Sequence, residues 1–304
     1  MQAPMTDRTE RGALVQGIVL TALAALSWST AGLFPRLVST DVFTTLFWRS
    51  ALGGLSVLAF QLVLNHGKPV ASLWQLTPAE WGMSAMSAAA MVTFIAAFYF
   101  APIADVVFVY GAFPTVTVLL SALLLRTRIQ RADVLCSALV AVGVGIILWG
   151  QASLQSIVGT LMSFSATLLF GLMTVGIKRF PDARMVKVTY MGAFLSALAM
   201  APFASFMQTS MHDLGWLWLY GFLNIGVGFG FYLLGVRRIK PVLASVLCMI
   251  EIPLAPLWAY LLLGEQVGWQ SLVGGAVVLL AVSASLVWAG WRAAPDAPAP
   301  SARS

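Results

Sequence analysis

The chain has 304 residues, of which 60% are hydrophobic and only 9% charged, with a formal net charge of +6 and a mean hydropathy of +0.90. Soluble domains are about 45–50% apolar and about 25% charged, so this composition excludes a soluble globular protein and leaves a polytopic membrane protein. The positive charge then reports orientation in a bilayer and gives no reason to expect nucleic acid.

A hydrocarbon core about 30 Å thick takes about 20 apolar residues of helix. Ten such runs follow one another, at 13–34, 42–64, 80–101, 103–125, 132–150, 156–177, 185–206, 214–236, 242–263 and 268–291. The expected fold class is therefore an all-α membrane protein with ten transmembrane helices. The first run is of full span length and shows no small-residue cleavage site, so it reads as a helix and not as a cleaved signal peptide. Residues 1–12 and the Pro/Ala-rich 292–304 are expected to be flexible cytoplasmic tails. With the N-terminus inside, every Lys and Arg except Arg36 and Arg49 falls on the cytoplasmic side. Positive loops stay inside, which predicts a multi-pass protein of the bacterial inner membrane with both termini cytoplasmic.

Taken in order, the spans carry a few polar or helix-breaking features. Span 1 holds SWST at 27–30, with Trp28. Span 2 holds WRSALGGL at 48–55, and its Arg49 lies about 10 Å deep at 1.5 Å per residue. Such a residue is expected to snorkel or to bond helix ends in a structural role. Span 4 places Tyr110, Pro114, Thr117 and Ser121 on one face, and span 6 does the same with Thr160, Ser163, Thr167, Phe170 and Thr174. Polar seams of this kind face a cavity or another helix. Span 8 has Asn224 among Gly221, Gly226, Gly228 and Gly230, where it either lines a site or bridges helices. Span 9 carries Glu251 in mid-run with Pro253 and Pro256 just after it, and Trp258 on the same face as Glu251.

Pro114, Pro253 and Pro256 should kink their helices, freeing the carbonyls of Tyr110, Met249 and Ile252. A carboxylate in hydrocarbon costs about 2.5–3.5 kcal/mol on insertion scales. Glu251 should therefore face a cavity, meet a partner or be protonated. A neutral carboxyl bonded to neighbouring helices is the alternative. The face holding Met249, Pro253, Pro256 and Tyr260 differs from that of Glu251, so the two cannot both point into one narrow path.

The second half of the chain repeats the first. At a shift of 139 residues Gly82, Pro102, Pro114 and Trp149 fall on Gly221, Pro241, Pro253 and Trp288. At 142 residues Gly17, Trp28 and Arg36 fall on Gly159, Phe170 and Lys178. Each half has five spans, an odd number, so 13–150 and 156–291 should be inverted relative to each other. Inverted repeats are a transporter architecture with the substrate site near the midplane. Trp28 and Phe170, related by the repeat, are candidates for two aromatic walls suited to an apolar or aromatic substrate.

SWST, WRSALGGL, EIPLAP with LLLGE (251–256 and 261–265) and VGGAVVLL (273–280) together resemble the drug/metabolite transporter superfamily, in its EamA-type ten-helix branch. The resemblance covers about 17–291 and extends to the YddG-like bacterial amino-acid exporter group. It implies two five-helix EamA-like repeats and a central cavity lined by spans 1, 3, 4, 6, 8 and 9, with spans 2 and 7 peripheral. It also implies a secondary transporter that exports small metabolites by alternating access, with amino acids, especially aromatic and hydrophobic ones, as the leading substrates. Export of lipophilic drugs is a rival, but neither span 1 nor span 6 has the acid that small multidrug relatives carry in their first helix. Nucleotide-sugar, purine or other metabolite transport is a further alternative, and phosphate-bearing sugars would call for more cations than Arg49. The substrate-binding candidates are Trp28, Tyr110, Ser163, Phe170, Asn224, Glu251 and Trp258, with protons as a further partner if Glu251 titrates. No phosphate-binding glycine loop, metal cluster, cofactor site or catalytic residue is expected. Nothing in the sequence sets an oligomeric state, and a monomer suffices for this architecture.

Overall fold

Apolar runs of these lengths cross a bilayer as helices because each backbone donor and acceptor must be satisfied within the run. The structure, a computed structural model, describes residues 7–64, 74–127, 129–151, 153–239 and 241–292. Its ten spans are Gly12–Ser29, Val42–Val63, Pro78–Phe100, Ile103–Leu125, Arg131–Trp149, Leu154–Arg179, Met185–Phe203, Met211–Arg238, Leu243–Leu263 and Trp269–Trp288. Of the expected flexible tails, residues 1–6 and 293–304 lie outside the described residues, whereas residues 7–12 are helical and run on into span 1. The clearest boundary correction is in span 1, which ends at Ser29 and not at residue 34. There Ser29 and Thr30 donate their hydroxyls back to the carbonyls of Leu26 and Ser27, each at 2.7 Å, and such local bonds compete with helix continuation.

Polar caps start several of the helices. Asp41 accepts from the amides of Phe43 and Thr44 at 2.8 and 3.0 Å at the head of span 2. Partial burial works against the Asp41 carboxylate, but the Thr44 hydroxyl and these amides outweigh it and hold its pKa below the ordinary value. Spans 3 and 8 share a second device. Glu80 closes a capping box with Thr77 and also takes the Arg184 guanidinium and amide, at 2.8 and 2.9 Å, from the loop before span 7. Asp213, bonded to the Ser210 cap, likewise takes the Ser39 amide and hydroxyl, at 3.1 and 2.7 Å, from the loop before span 2. In each case the third residue of a span in one half ties down a loop of the other.

Two spans are interrupted at corresponding places. Span 4 divides into Ile103–Tyr110 and Phe113–Leu125, and span 9 into Pro241–Cys248 and Glu251–Leu263. Each break lies just before the expected proline, Pro114 or Pro253. Tighter i→i+3 bonds take up the slack, from Ala112 to Val109 at 3.0 Å and from Ile252 to Met249 at 3.1 Å. The Met249 carbonyl, expected to be free, is therefore satisfied within the chain. Pro256 lies inside the second segment of span 9, which continues through it.

Packing follows the inverted repeat. Span 3 lies on span 6 as span 8 lies on span 1, span 3 on span 7 as span 8 on span 2, while spans 5 and 10 pair across the centre, as do spans 2 and 7. Glycines set the closest approaches. A side chain on Gly221 would strike the Arg49 carbonyl and the backbone of Gly53, and Gly143 and Gly274 stand in the same relation between spans 5 and 10.

The two membrane faces differ. On one, an apolar plug of Ala31, Phe34, Leu46, Phe98, Ile103 and Tyr220, with further residues of spans 3, 4 and 9, joins the two halves. Above it Arg36 pairs with Glu265 at 3.7 Å and bonds the carbonyls of Phe98 and Ala101, while Glu265 accepts from the Ile103 amide at 2.7 Å. On the basic face, among the described residues, the inner segments Phe113–Leu125 and Pro241–Cys248 make few contacts with each other. The outer segments of the same two spans pack together. The structure is thus latched on the Arg36–Glu265 face, while at the basic face the inner segments of spans 4 and 9 pack little on each other.

Candidate functional site

The SWST stretch is held by an unusual turn of span 8. Residues Phe222–Val227 form a π-helical turn, which leaves backbone carbonyls without their ordinary intrahelical donors. Ser27 Oγ donates to the Leu223 carbonyl at 2.5 Å and Trp28 Nε1 to that of Asn224 at 3.0 Å. The Asn224 side chain returns donors to the Ser27 carbonyl and the Thr30 hydroxyl, at 3.2 and 3.3 Å. Asn224 is buried and bridges the helices, and the Trp28 ring is thereby fixed.

Two aromatic groups result, each drawing residues from both repeats. Trp28 packs against Phe229 and Tyr232 with centroids 5.3 and 5.4 Å away. Tyr110 contacts Phe94 at 4.8 Å and both Phe113 and Phe170 at 6.0 Å. Between these groups lie the breaks of spans 4 and 9. Glu251 opens the second segment of span 9, with Cys248 one turn before it. Both are part-buried, and the Tyr110 hydroxyl lies within electrostatic reach of Glu251, Cys248 and Tyr232. Among the described residues none forms an ion pair with Glu251. Tyr110, Tyr232, Cys248 and Glu251 thus form a polar spot between two aromatic walls, where both interrupted helices meet.

The other sequence-based candidates are placed apart from that spot. Ser163 is buried and donates to the Val106 carbonyl at 2.6 Å, tying span 6 to span 4. Trp258 lies two turns nearer the latched face, where its Nε1 meets the Ser29 hydroxyl at 3.0 Å. Pro253 and Pro256 line a groove of about 380 Å³ with Leu257, Tyr260 and Leu279, on the side of span 9 away from Glu251. Pro114, part-buried, is the second residue of its segment. The prolines shape the breaks from behind.

Sequence reasoning did not select Phe94, Phe229, Tyr232 or Cys248, because no repeat partner, charge or helix breaker marks them. Asp105 was also missed. It is buried near the start of span 4 and accepts from Gln151 Nε2 at 2.7 Å. Among the described residues no group of His, Cys, Asp and Glu could hold a metal ion. The spot offers one acid, two phenols, a thiol and aromatic faces, which is equipment for binding a small amphipathic molecule.

Comparisons with known proteins bear on the family and the fold. The sequence model of the EamA-like transporter family matches residues 15–149 and again residues 157–287. An uncharacterized transporter of Archaeoglobus fulgidus is 26% identical over 271 residues, covering 88% of this chain and 94% of its own. A biotin transporter of Salmonella typhimurium is 23% identical over 273 residues, covering 87% and 89%. A solved crystal structure superposes with a TM-score of 0.65 at 19% identity, over 93% of this chain and 99% of its own, a likeness of fold.

Proposed function

The chain belongs to the EamA-like transporter family, and from that premise we propose that it is a secondary transporter exporting amino acids, preferentially aromatic and hydrophobic ones, across a bacterial inner membrane. The basic face is cytoplasmic, following the positive-inside rule. The observation that carries the reading is the polar spot of Tyr110, Cys248, Tyr232 and Glu251 between the Trp28 and Phe170 walls. An aromatic side chain stacks on the walls, and its ammonium pairs with Glu251. The same carboxylate holds a proton when the site is empty, so ammonium and proton exclude each other and their exchange couples the two fluxes. Substrate enters from the basic face. Closing that face and releasing the Arg36–Glu265 latch delivers it to the other side.

The relative described as a biotin transporter favours a second substrate, a carboxylic acid whose alkyl chain carries a fused heterocycle. Proteoliposomes test both. Counterflow of labelled L-phenylalanine, L-alanine and biotin is measured with and without a pH gradient, for wild type and Glu251→Gln. The reading expects phenylalanine to be carried best, with a pH response that Glu251→Gln abolishes. Biotin carried in preference to both amino acids would replace it, and wild-type pH behaviour in Glu251→Gln would remove the coupling role.

A further inference from the structure

Arg49 does not behave as a snorkelling or helix-capping residue. It is 6% exposed, and its Nε and Nη1 atoms are buried without a hydrogen-bond partner. Its guanidinium lies 4.7 Å from the centroid of the Tyr220 ring, and the buried Tyr220 hydroxyl has no partner other than that guanidinium. The electrostatic partner resolved for Arg49 is Tyr220, and among the described residues no carboxylate forms an ion pair with it. Two other arginines in the described residues have acids: Arg36 has Glu265 and Arg184 has Glu80. A buried cation next to further orphaned donors is a costly arrangement unless an anion visits it. Tyr220 also belongs to the apolar plug, with Phe34 stacked on it at 4.5 Å. Arg49 thus sits behind the plug, on span 2 where it packs on span 8, and movement of the plug would change what covers it.

We propose that Arg49 and Tyr220 form an anion subsite that receives the carboxylate of the transported molecule as the latched face opens. The proposal rests on the transport reading and deepens it: whatever the apolar part of the substrate, it carries a carboxylate. An amino acid would meet Glu251 through its ammonium and Arg49 through its carboxylate at successive stages. A biotin-like acid would use Arg49 alone. The guanidinium supplies charge and several donors at once, and the Tyr220 hydroxyl supplies one more.

The test uses full-length protein in proteoliposomes with three competitors of matched shape: L-phenylalanine, L-phenylalaninamide, which lacks the carboxylate, and 3-phenylpropionate, which lacks the ammonium. In wild type the amide should compete at least tenfold more weakly than phenylalanine. In Arg49→Met the KM for phenylalanine should rise at least tenfold and the difference between acid and amide should vanish. Arg49→Lys should restore part of it. Equal competition by acid and amide in wild type would overturn the proposal without any variant. Preferential transport of biotin with the same Arg49 dependence would keep the carboxylate subsite and remove the amino-acid reading. If wild type carries none of these compounds, thermal unfolding in detergent decides. A rise in Tm with 3-phenylpropionate that Arg49→Met abolishes supports the subsite, and no rise, or an equal rise in both proteins, refutes it.

Discussion

Glu251, Trp28 and Phe170 each stand out in the sequence for a physical reason. A carboxylate in an apolar run is conspicuous by its cost, and the two aromatic residues are conspicuous because the repeat sets them at equivalent places. Cys248, Tyr232 and Phe94 carry no such mark, since only packing distinguishes a lining residue from a lipid-facing one. Asn224 and Ser163 stood out as polar, yet both tie helices together, because buried hydroxyls and amides in a bilayer seek partners on neighbouring spans. The walls make a prediction at this scale. Trp28→Ala and Phe170→Ala should each lower uptake of aromatic substrates several-fold more than that of alanine, with insertion intact by size-exclusion profile. Equal loss for both substrate classes would make the two rings packing residues. Trp28 should also lose some thermal stability on replacement, because its Nε1 bonds the π turn of span 8.

Among the elements, the interrupted spans were legible because Pro114 and Pro253 occupy matching positions of the two repeats. The π turn at Phe222–Val227 was not, since no proline or insertion announces it and the surrounding glycines are equally suited to close helix packing. The end of span 1 was misplaced because an apolar run extends past Ser29, while hydroxyl bonds to the preceding turn decide where the helix stops. The caps give a stability prediction. Asp41→Ala removes acceptors for the amides of Phe43 and Thr44 and should cost about 1 kcal/mol, seen as a lower Tm. Because the folded pKa of Asp41 is depressed, this contribution is present above the ordinary carboxylate range and is lost as the pH falls through the folded value. The Tm difference between Asp41→Ala and wild type should therefore shrink on strong acidification. A difference that grows in acid would show that Asp41 stabilises the fold in its protonated form.

At the scale of the molecule, composition and repeat were enough for ten spans in two inverted halves, whereas the conformation was not readable, because one sequence serves every state of the cycle. The latch illustrates this: Arg36 and Glu265 are far apart in sequence and meet across the closed face. A cysteine placed at Val107 in the plug should react slowly with an impermeant maleimide from the latched face, and faster after Glu265→Gln. The charge exchange Arg36→Glu with Glu265→Arg should restore the slow rate. Unchanged reactivity in Glu265→Gln would mean that the apolar plug alone holds the face closed. The central claim is that substrate binds where the breaks of spans 4 and 9 meet between the aromatic walls, and Cys248 supplies a native probe there. With the buried Cys136 replaced by alanine, the rate of Cys248 alkylation by a maleimide is measured with and without a saturating transported substrate, phenylalanine first. The account predicts at least fivefold protection by that substrate and none by a compound that is not carried, whereas full-rate alkylation under saturating substrate would contradict it.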